Sequence, residues 1–216
     1  MQDPSNSGIM EKYPDHTKGR CHLMFLSDFY RDTLHVTDPD LLEQVVGLSE
    51  IRLCRQGDIL IQQGEVPTYV FFLMHGTLRG VLLDINGRDI TDCIVYHSGD
   101  AAMPDNDLTQ PASVTMEALT DCTLACIPVE EAFRLIREQP AVAELYQQLV
   151  LRAAGMHRAL KIAICQYSAA QRYQWFLETY PGLIHRISHK YIASLLNMTP
   201  VTFSKIRKSL KESESV

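Results

Sequence analysis

The chain has 216 residues, of which 46% are hydrophobic and 21% are charged, and its formal net charge is −6 at pH 7. This composition is that of an ordinary globular protein with room for one or two domains, each with an apolar core. No apolar run approaches the roughly 18 residues of a membrane span, and the polar N-terminus lacks the apolar segment of a signal peptide. We therefore expect a cytoplasmic protein without a membrane partner.

Cysteine and histidine usage points in the same direction. The six cysteines are scattered with no C-x-x-C pair, and the eight histidines form no cluster at ligand spacing. This pattern favours reduced, structural thiols over disulfides or a metal site, so we predict no cofactor and no metal ligand.

The first two thirds of the chain are predicted to contain a β-rich sensor domain. Residues 1–20 are rich in proline, serine and aspartate and are expected to be a mobile leader. The sensor domain is assigned to residues 21–137 and begins with one or two short helices. Short β-rich runs alternate with turn signals from there to residue 128, at 59–61, 69–73, 78–83, 94–96 and 123–127. Glycines at 57, 64, 76, 87 and 99 supply one turn residue per corner, which predicts an antiparallel β-roll or jelly roll of roughly 80 residues.

Helical patterns return after residue 128, with a short helix over 130–137 and a long helix over 138–167. The long helix carries apolar side chains at alternating spacings of four and three, at Val142, Tyr146, Leu149, Ala153, Met156, Leu160, Ala163 and Tyr167. This spacing is typical of a coiled-coil seam and predicts a homodimer. A helix that lies on its own barrel needs an apolar stripe of the same period, so this second interpretation stays open.

The last segment, residues 168–216, is predicted to be a helix-turn-helix domain. A helix over 169–180 leads into two short helices, the first starting after Ser188 as N-cap. Asn197 tolerates the left-handed turn between them, Thr199 caps the second helix, and Pro200 fits its first turn. The predicted fold class is therefore α+β, with an antiparallel β-roll, a long dimerisation helix and a C-terminal helix-turn-helix.

Charge is sharply polarised along the chain. Residues 179–211 contain six lysines and arginines and no acidic residue, so they carry +6 while the remaining residues carry −12. A local basic face of this kind gathers phosphates, although a helical hairpin with a solvated basic face is the alternative. We predict binding to double-stranded DNA through Ser188, His189, Lys190, Thr199, Val201, Thr202, Ser204, Lys205, Arg207 and Lys208.

These segments together resemble the Crp/Fnr superfamily of bacterial transcription regulators. The resemblance covers about residues 22–211 and lies in the runs GDILIQQG (57–64), VFFLMHG (70–76), NGR (86–88), SGD (98–100), EALTD (117–121), YIASLLNMTP (191–200) and FSKIRK (203–208). It implies a cyclic-nucleotide-binding-like sensor, a homodimer, DNA and RNA polymerase as partners, and no enzymatic activity. Only six residues follow Leu210, so we expect the variant of the DNA-binding unit that lacks a trailing wing.

The chain departs from the resemblance where an effector would bind. Family members that bind cyclic nucleotides have a Gly-Glu pair for the ribose and an Arg-Ser pair for the phosphate. The aligned positions of this chain, which are the candidate effector pocket, hold Met103, Pro104, Ala112 and Ser113. Because a cyclic phosphate needs a guanidinium or free backbone N–H groups, we expect an unidentified effector that is not a cyclic nucleotide.

Other sensing groups find little support. The iron-sulfur branch of the superfamily implies several N-terminal cysteines, and only Cys21 precedes the predicted roll. His75 and His97 could ligate haem iron, but single histidines near strand ends are more often structural. A rival hypothesis is a β-roll small-molecule-binding protein or a metal-dependent, cupin-like enzyme without a DNA-binding role. That enzyme class needs a His-x-His pattern, which the chain does not contain, and a sensor whose DNA-binding unit has lost its function is a third hypothesis.

Overall fold

The computed structural model describes residues 20–105 and 107–213, and the side chains of residues 24–105 and 107–210. Apart from Arg20, the predicted leader lies outside the described residues. The described chain begins with α1 (Arg20–Asp28), a π-helical turn (Phe29–Thr33) and α2 (Pro39–Leu48). Asp38 caps α2, since its Oδ1 accepts a hydrogen bond from the Leu41 amide at 2.8 Å.

Eight antiparallel strands then form a roll of two four-stranded sheets with the orders β1-β8-β3-β6 and β2-β7-β4-β5. Their bounds are Glu50–Cys54 (β1), Ile59–Ile61 (β2), Tyr69–His75 (β3), Leu78–Leu83 (β4), Asp89–Val95 (β5), Ala101–Ala102 (β6), Thr115–Ala118 (β7) and Cys122–Pro128 (β8). The core between the sheets includes Leu73, Leu78, Met116 and Leu124. The five predicted strands are confirmed, whereas β1, β6 and β7 were not predicted from the sequence.

The turn residues of the roll behave as the sequence predicts. All five glycines expected at corners have positive φ angles, between 75° and 109°. Gly76 is also required sterically, because a Cβ there would lie 2.5 Å from Cys122 Sγ. In the β4–β5 hairpin, Asp84 Oδ1 accepts hydrogen bonds from the amides of Asn86 and Arg88 at 2.8 and 2.9 Å, which closes the turn predicted at Gly87.

In the described part of the chain, five helices follow the roll and complete the predicted α+β fold. They are α3 (Val129–Glu138), α4 (Pro140–Gln166), α5 (Ala169–Thr179), α6 (His189–Leu195) and α7 (Pro200–Ser213), with a 3₁₀ turn (Leu183–His185) after α5. Ser168 and Gln171 form a capping box at the start of α5. None of the helices in the described part of the chain is long and apolar enough to cross a membrane.

The apolar stripe predicted as a dimer seam on α4 faces the protein's own domains. Leu149 and Ala163 are only 6% and 0% exposed within a single chain. Val142 and Leu149 pack on the core beside α1 and α2, and Met156 and Leu160 pack on the core of the helix-turn-helix domain. The spacing of the stripe was interpreted as evidence for a dimer seam. The structure corrects this interpretation, because packing within the chain accounts for the spacing without a partner helix.

The remaining seam positions fit the same description. The ring of Tyr146 contacts Phe133 of α3 at a centroid distance of 6.4 Å. Ala153 is half-buried and lines a cleft against β5, whereas Tyr167, at the end of the helix, is 40% exposed. The alternative interpretation, a long helix that lies on its own barrel, thus describes most of the stripe.

Candidate DNA-binding unit and effector cavity

The connection between α6 and α7 is a hydrogen-bonded turn of fixed geometry. Asn197 has φ +50°, the left-handed conformation predicted for it. Its amide donates to the Ser194 carbonyl at 3.0 Å, and the Met198 amide donates to the Ala193 carbonyl at 2.8 Å. These two bonds form a Schellman motif, which ends α6 and turns the chain within four residues.

The helix starts on either side of this turn differ from each other. Thr199 caps α7 as predicted, because its Oγ1 accepts a hydrogen bond from the Thr202 amide at 3.1 Å. Ser188 occupies the N-cap position of α6, but its side chain makes no capping hydrogen bond. The capping prediction is therefore confirmed for Thr199, whereas Ser188 gives only the position of the helix start.

Apolar packing fixes which face of α7 points outward. Phe203 is buried, and Ile206 and Leu210 are half-buried against the same cluster, in agreement with the predicted inward face. Nine of the ten predicted DNA-binding side chains are exposed and the tenth is half-buried. The exposed ones are Ser188, His189, Lys190, Thr199, Val201, Thr202, Ser204, Lys205 and Lys208, and the half-buried one is Arg207.

Four members of this set contact one another in two pairs. The Arg207 guanidinium lies 2.8 Å from a ring nitrogen of His189, which joins α7 to α6. The Thr199 and Thr202 hydroxyls are 2.8 Å apart. Lys205 and Ser204 project from the first two turns of α7, the part of such a helix that would enter a major groove.

Arg172 of α5 supports the turn, and sequence reasoning did not identify it. Its guanidinium donates hydrogen bonds to the carbonyls of Leu196 and Asn197 at 2.8 and 3.2 Å. Since these carbonyls lie at the end of α6, the positive charge is also favourable for the helix dipole. No local signal marks Arg172, because its contact spans 24 residues of sequence.

The helix-turn-helix domain is docked on the roll through α6 and β5. The Thr91 amide donates a hydrogen bond to Ser194 Oγ at 2.9 Å. The Tyr191 ring stacks beneath the guanidinium carbon of Arg79 at 4.1 Å. Arg79 is itself buried and paired with Glu117 at 2.6 Å, so the sheet presents a fixed cation to the tyrosine.

Three of the four predicted effector-pocket residues line one cavity between the roll and α4. Met103, Pro104 and Ser113 face a cavity of about 350 Å³. The Ser113 hydroxyl donates a hydrogen bond to the Pro104 carbonyl at 2.7 Å. Ala112 is not brought to the cavity, because it is buried in the roll core and its amide donates to the Glu65 carbonyl at 2.8 Å.

The side chains around this cavity are acidic rather than basic. Asp92 and Asp105 line it, together with Cys93 and with His157 of α4, and among the described residues no lysine or arginine does. Burial, together with the neighbouring Asp92 carboxylate, raises the pKa of the Cys93 thiol to about 12. An adjoining cleft of about 200 Å³ adds Asp100 and Arg152, whose nearest oxygen and nitrogen are 3.4 Å apart. Asp92, Cys93 and His157 were not predicted as site residues.

Comparison with known proteins confirms the fold inferred from the sequence. Residues 51–139 match the family model of the cyclic nucleotide-binding domain. No curated protein matches the chain by sequence. Among solved structures, FixK2 from Bradyrhizobium japonicum is similar with a TM-score of 0.70 and 16% identity, covering 77% of this chain and 86% of its own.

Two further structures are similar over most of both chains. The c-di-GMP-responsive global regulator CLP of Xanthomonas campestris has a TM-score of 0.65 and 13% identity, with 82% of this chain and 93% of its own covered. A transcriptional regulator of the CRP family from Thermus thermophilus has a TM-score of 0.60 and 19% identity, with 76% and 85% covered. The resemblance to the Crp/Fnr superfamily is thus confirmed for the fold.

Proposed function

We propose that this chain, which has a cyclic nucleotide-binding domain and the fold of Crp/Fnr regulators, is a homodimeric transcription regulator that binds specific DNA sequences. The observation that carries the proposal is the outward face of α7. Short hydroxyl side chains and lysines are exposed there, on a helix whose inner face is anchored by Phe203. Such a helix can enter a major groove while the flanking cations contact phosphates.

The residues of this face divide by the contacts they can make. Thr202, Ser204 and Lys205 lie near the start of α7, where hydroxyls and an ammonium can reach base edges. Lys190 of α6 and Lys208, further along α7, are exposed lysines away from the start of α7, and they are suited to contacts with phosphates. We also assign Arg207 to the residues that contact phosphates, and in addition it contacts the ring of His189.

DNA selection followed by quantitative binding tests this assignment. A preferred duplex is recovered from random-sequence DNA, and its affinity is compared with that of a shuffled duplex at several salt concentrations. We expect Lys208→Ala to weaken both duplexes alike and to lower the salt slope by about one unit. We expect Thr202→Ala and Lys205→Ala to cost about 1–3 kcal/mol more on the preferred duplex.

The control and the contradicting result are equally specific. Lys161→Ala removes an exposed lysine of α4 that lies outside the proposed DNA-binding face, and it should leave both affinities unchanged. If Lys205→Ala and Lys208→Ala affect both duplexes equally, Lys205 is a phosphate contact only. If neither substitution changes binding, the DNA-binding proposal is wrong.

We assign dimerisation to the outer side of α4. With 3.6 residues per turn, Leu151, Ala154, Arg158 and Ile162 fall on the side of the helix opposite to the stripe that packs on the roll. Leu151 and Ile162 are 62% and 38% exposed in the single chain. Next to Ala154, Gly155 leaves its surroundings open, since a Cβ at Gly155 would meet no atom within 4 Å. A second copy of α4 can approach closely at these small residues.

Sedimentation of a paired set of variants tests the dimer. Leu151→Asp places a charge on the outer side and should give monomers. Glu43→Gln, which removes an exposed charge from α2 and not from the outer side of α4, should leave the dimer intact. A Leu151→Asp protein that still sediments as a dimer would exclude the outer side of α4 as the interface.

The effector cavity favours a ligand other than a cyclic nucleotide. The phosphate of a cyclic nucleotide would meet the carboxylates of Asp92 and Asp105 without a lining lysine or arginine. Removal of a phosphate from water without a matching donor is unfavourable. The composition of the cavity therefore supports a neutral or cationic effector.

A further inference from the structure

Asp92 and Cys93 of β5 converge with His157 of α4 at the effector cavity. One ligand atom from each side chain, a carboxylate oxygen, Sγ and a ring nitrogen, lies within 4.8 Å of the other two. His157 Nδ1 is 4.0 Å from Asp92 Oδ2. Among the described residues, this is the one group of three acidic, histidine or cysteine side chains with potential ligand atoms so close together.

A β-bulge explains how two consecutive residues contribute to one site. In a regular strand, neighbouring side chains point to opposite faces of the sheet. The β4–β5 pairing shifts at this point, because Gly80 pairs with Cys93 whereas Val81 pairs with Thr91, which leaves Asp92 as the extra residue. A bulge interrupts the alternation and redirects a side chain, and here it brings carboxylate and thiol to the same histidine.

The opposite strand leaves room for this arrangement. A Cβ added at Gly80 would lie 2.7 Å from Cys93 Sγ and 3.8 Å from Asp92 Oδ2. Any larger residue at position 80 would therefore displace the thiol. The bulge therefore directs the two side chains to one site, and Gly80 leaves the space that the thiol occupies.

The three donors form a ligand set of the zinc type. Thiolate, imidazole and carboxylate are the usual zinc ligands, and magnesium and calcium prefer oxygen alone. Ligand atoms around a tetrahedral zinc ion are about 3.3–3.6 Å apart, given the usual zinc–ligand distances. The three ligand atoms lie within 4.8 Å of one another, so they need to approach by up to about 1.5 Å to reach this spacing. One tetrahedral position is left for water or a fourth group.

We propose that Asp92, Cys93 and His157 bind a divalent cation of the zinc type, which connects β5 of the roll to α4. Binding displaces the proton of the Cys93 thiol into water, and the charge of the cation neutralises the thiolate and the Asp92 carboxylate. The neighbouring residue Thr91 holds Ser194 of the helix-turn-helix domain, so the cation acts next to the contact between the domains. The regulatory consequence, control of DNA binding, rests on the proposed function, whereas cation binding does not.

Titration of the reduced 216-residue chain with Co²⁺ tests the site directly. Cobalt reports a thiolate ligand by a sulfur-to-metal charge-transfer band, and Zn²⁺ should displace it. We expect one cobalt ion per chain and loss of the band in Cys93→Ser. Because His157 is exposed, His157→Gln removes a ligand without disturbing the core. Its affinity loss should at least equal the roughly 10–100-fold that removal of an outer-shell partner costs.

Matched controls remove the other candidate ligands one at a time. Cys165→Ser and Cys21→Ser test the two cysteines that lie in helices, and His97→Gln tests a histidine of the adjoining cleft. All three should keep the band and the affinity of the unsubstituted protein. No cobalt band in the unsubstituted protein, or an unchanged band in Cys93→Ser, would overturn the proposal.

A second measurement separates the site from its regulatory consequence. Affinity for the selected duplex is measured with and without Zn²⁺, for the unsubstituted protein and for His157→Gln. We expect Zn²⁺ to change the affinity of the former and not of the latter. Equal responses would refute regulation by the cation. If no DNA binds under any condition, the proposed function fails, and the cobalt titration still decides on the site.

Discussion

Replacement of Ser194 by alanine and of Tyr191 by leucine should loosen the helix-turn-helix domain from the roll. Both side chains belong to α6 and both contact the β4–β5 sheet. Ser194 accepts a hydrogen bond from the Thr91 amide, and Tyr191 stacks on Arg79. Neither side chain belongs to the proposed DNA-binding face, so the double variant weakens docking and leaves the outward side of α7 intact.

The expected size of the effect follows from the two contacts. A neutral hydrogen bond contributes about 1 kcal/mol, and a cation–π contact at a partly buried site contributes about 1 kcal/mol. A loss of about 2 kcal/mol corresponds to a change of roughly 30-fold in the docking equilibrium. If the Thr91 amide exchanges with solvent only after the domain leaves the roll, its exchange rate should rise by about the same factor.

Amide hydrogen exchange at Thr91 and at neighbouring positions in β5 is the appropriate assay. Ser204→Ala is the matched control, because this exposed serine lies on the outward side of α7. The control should leave exchange at Thr91 unchanged. An unchanged Thr91 rate in the double variant would refute the reasoning, since the amide would then be protected by something other than docking of α6.

Three further predictions concern the turn, the cavity and the dimer. Arg172→Met removes hydrogen bonds to two carbonyls at the end of α6 and should lower the free energy of unfolding by about 1–3 kcal/mol, measured by thermal denaturation; an unchanged midpoint would contradict the bracing role. Calorimetric titration with cyclic AMP should show no heat, whereas micromolar binding would mean that backbone amides replace the missing guanidinium. A bifunctional thiol reagent should cross-link two chains through the exposed Cys165 on the outer side of α4, and Cys165→Ser should abolish the product; cross-linking that survives the substitution would contradict this arrangement.

Features that depend on local chemistry could be predicted from the sequence. The corner glycines, including Gly87 of the β4–β5 turn, and the Asn197–Thr199 connection are each specified by residues within a few positions of one another. The backbone angles and hydrogen bonds at these sites agree with the predictions. Strand β6 was not predicted, because its two residues carry too little pattern to indicate a strand.

Features that depend on a distant partner could not be predicted. The stripe on α4 has the period of a coiled-coil seam, but periodicity identifies a buried face without identifying what covers it. Leu149 is buried by the chain's own core, although the same position would fit a coiled-coil seam. The spacing of the stripe therefore could not distinguish a dimer interface from packing on the chain's own roll. The contact between Thr91 and Ser194 spans 103 residues and leaves no local trace.

The cluster of Asp92, Cys93 and His157 was missed for a more specific reason. Reasoning from strand alternation assigns Asp92 and Cys93 to opposite faces of β5, which argues against a shared ligand. The bulge at Asp92 reverses that conclusion, and the sequence of β5 itself contains no signal that predicts the bulge. Gly80 on the opposite strand is the nearest sequence signal, and its meaning depends on knowing the strand register.

The same bulge connects the proposed cation site to the proposed regulation. Thr91 pairs with Val81 on one side of the extra residue and donates its amide to Ser194, while Asp92 and Cys93 face His157. A ligand shifts a conformational equilibrium only by the difference between its affinities for the two states. Because the two polar docking contacts contribute about 2 kcal/mol, a cation that binds the undocked form about 30-fold more tightly would offset them. Loss of a single outer-shell partner changes metal affinity by roughly 10–100-fold, so a better position of one of the three ligands in the undocked form would account for a difference of that size.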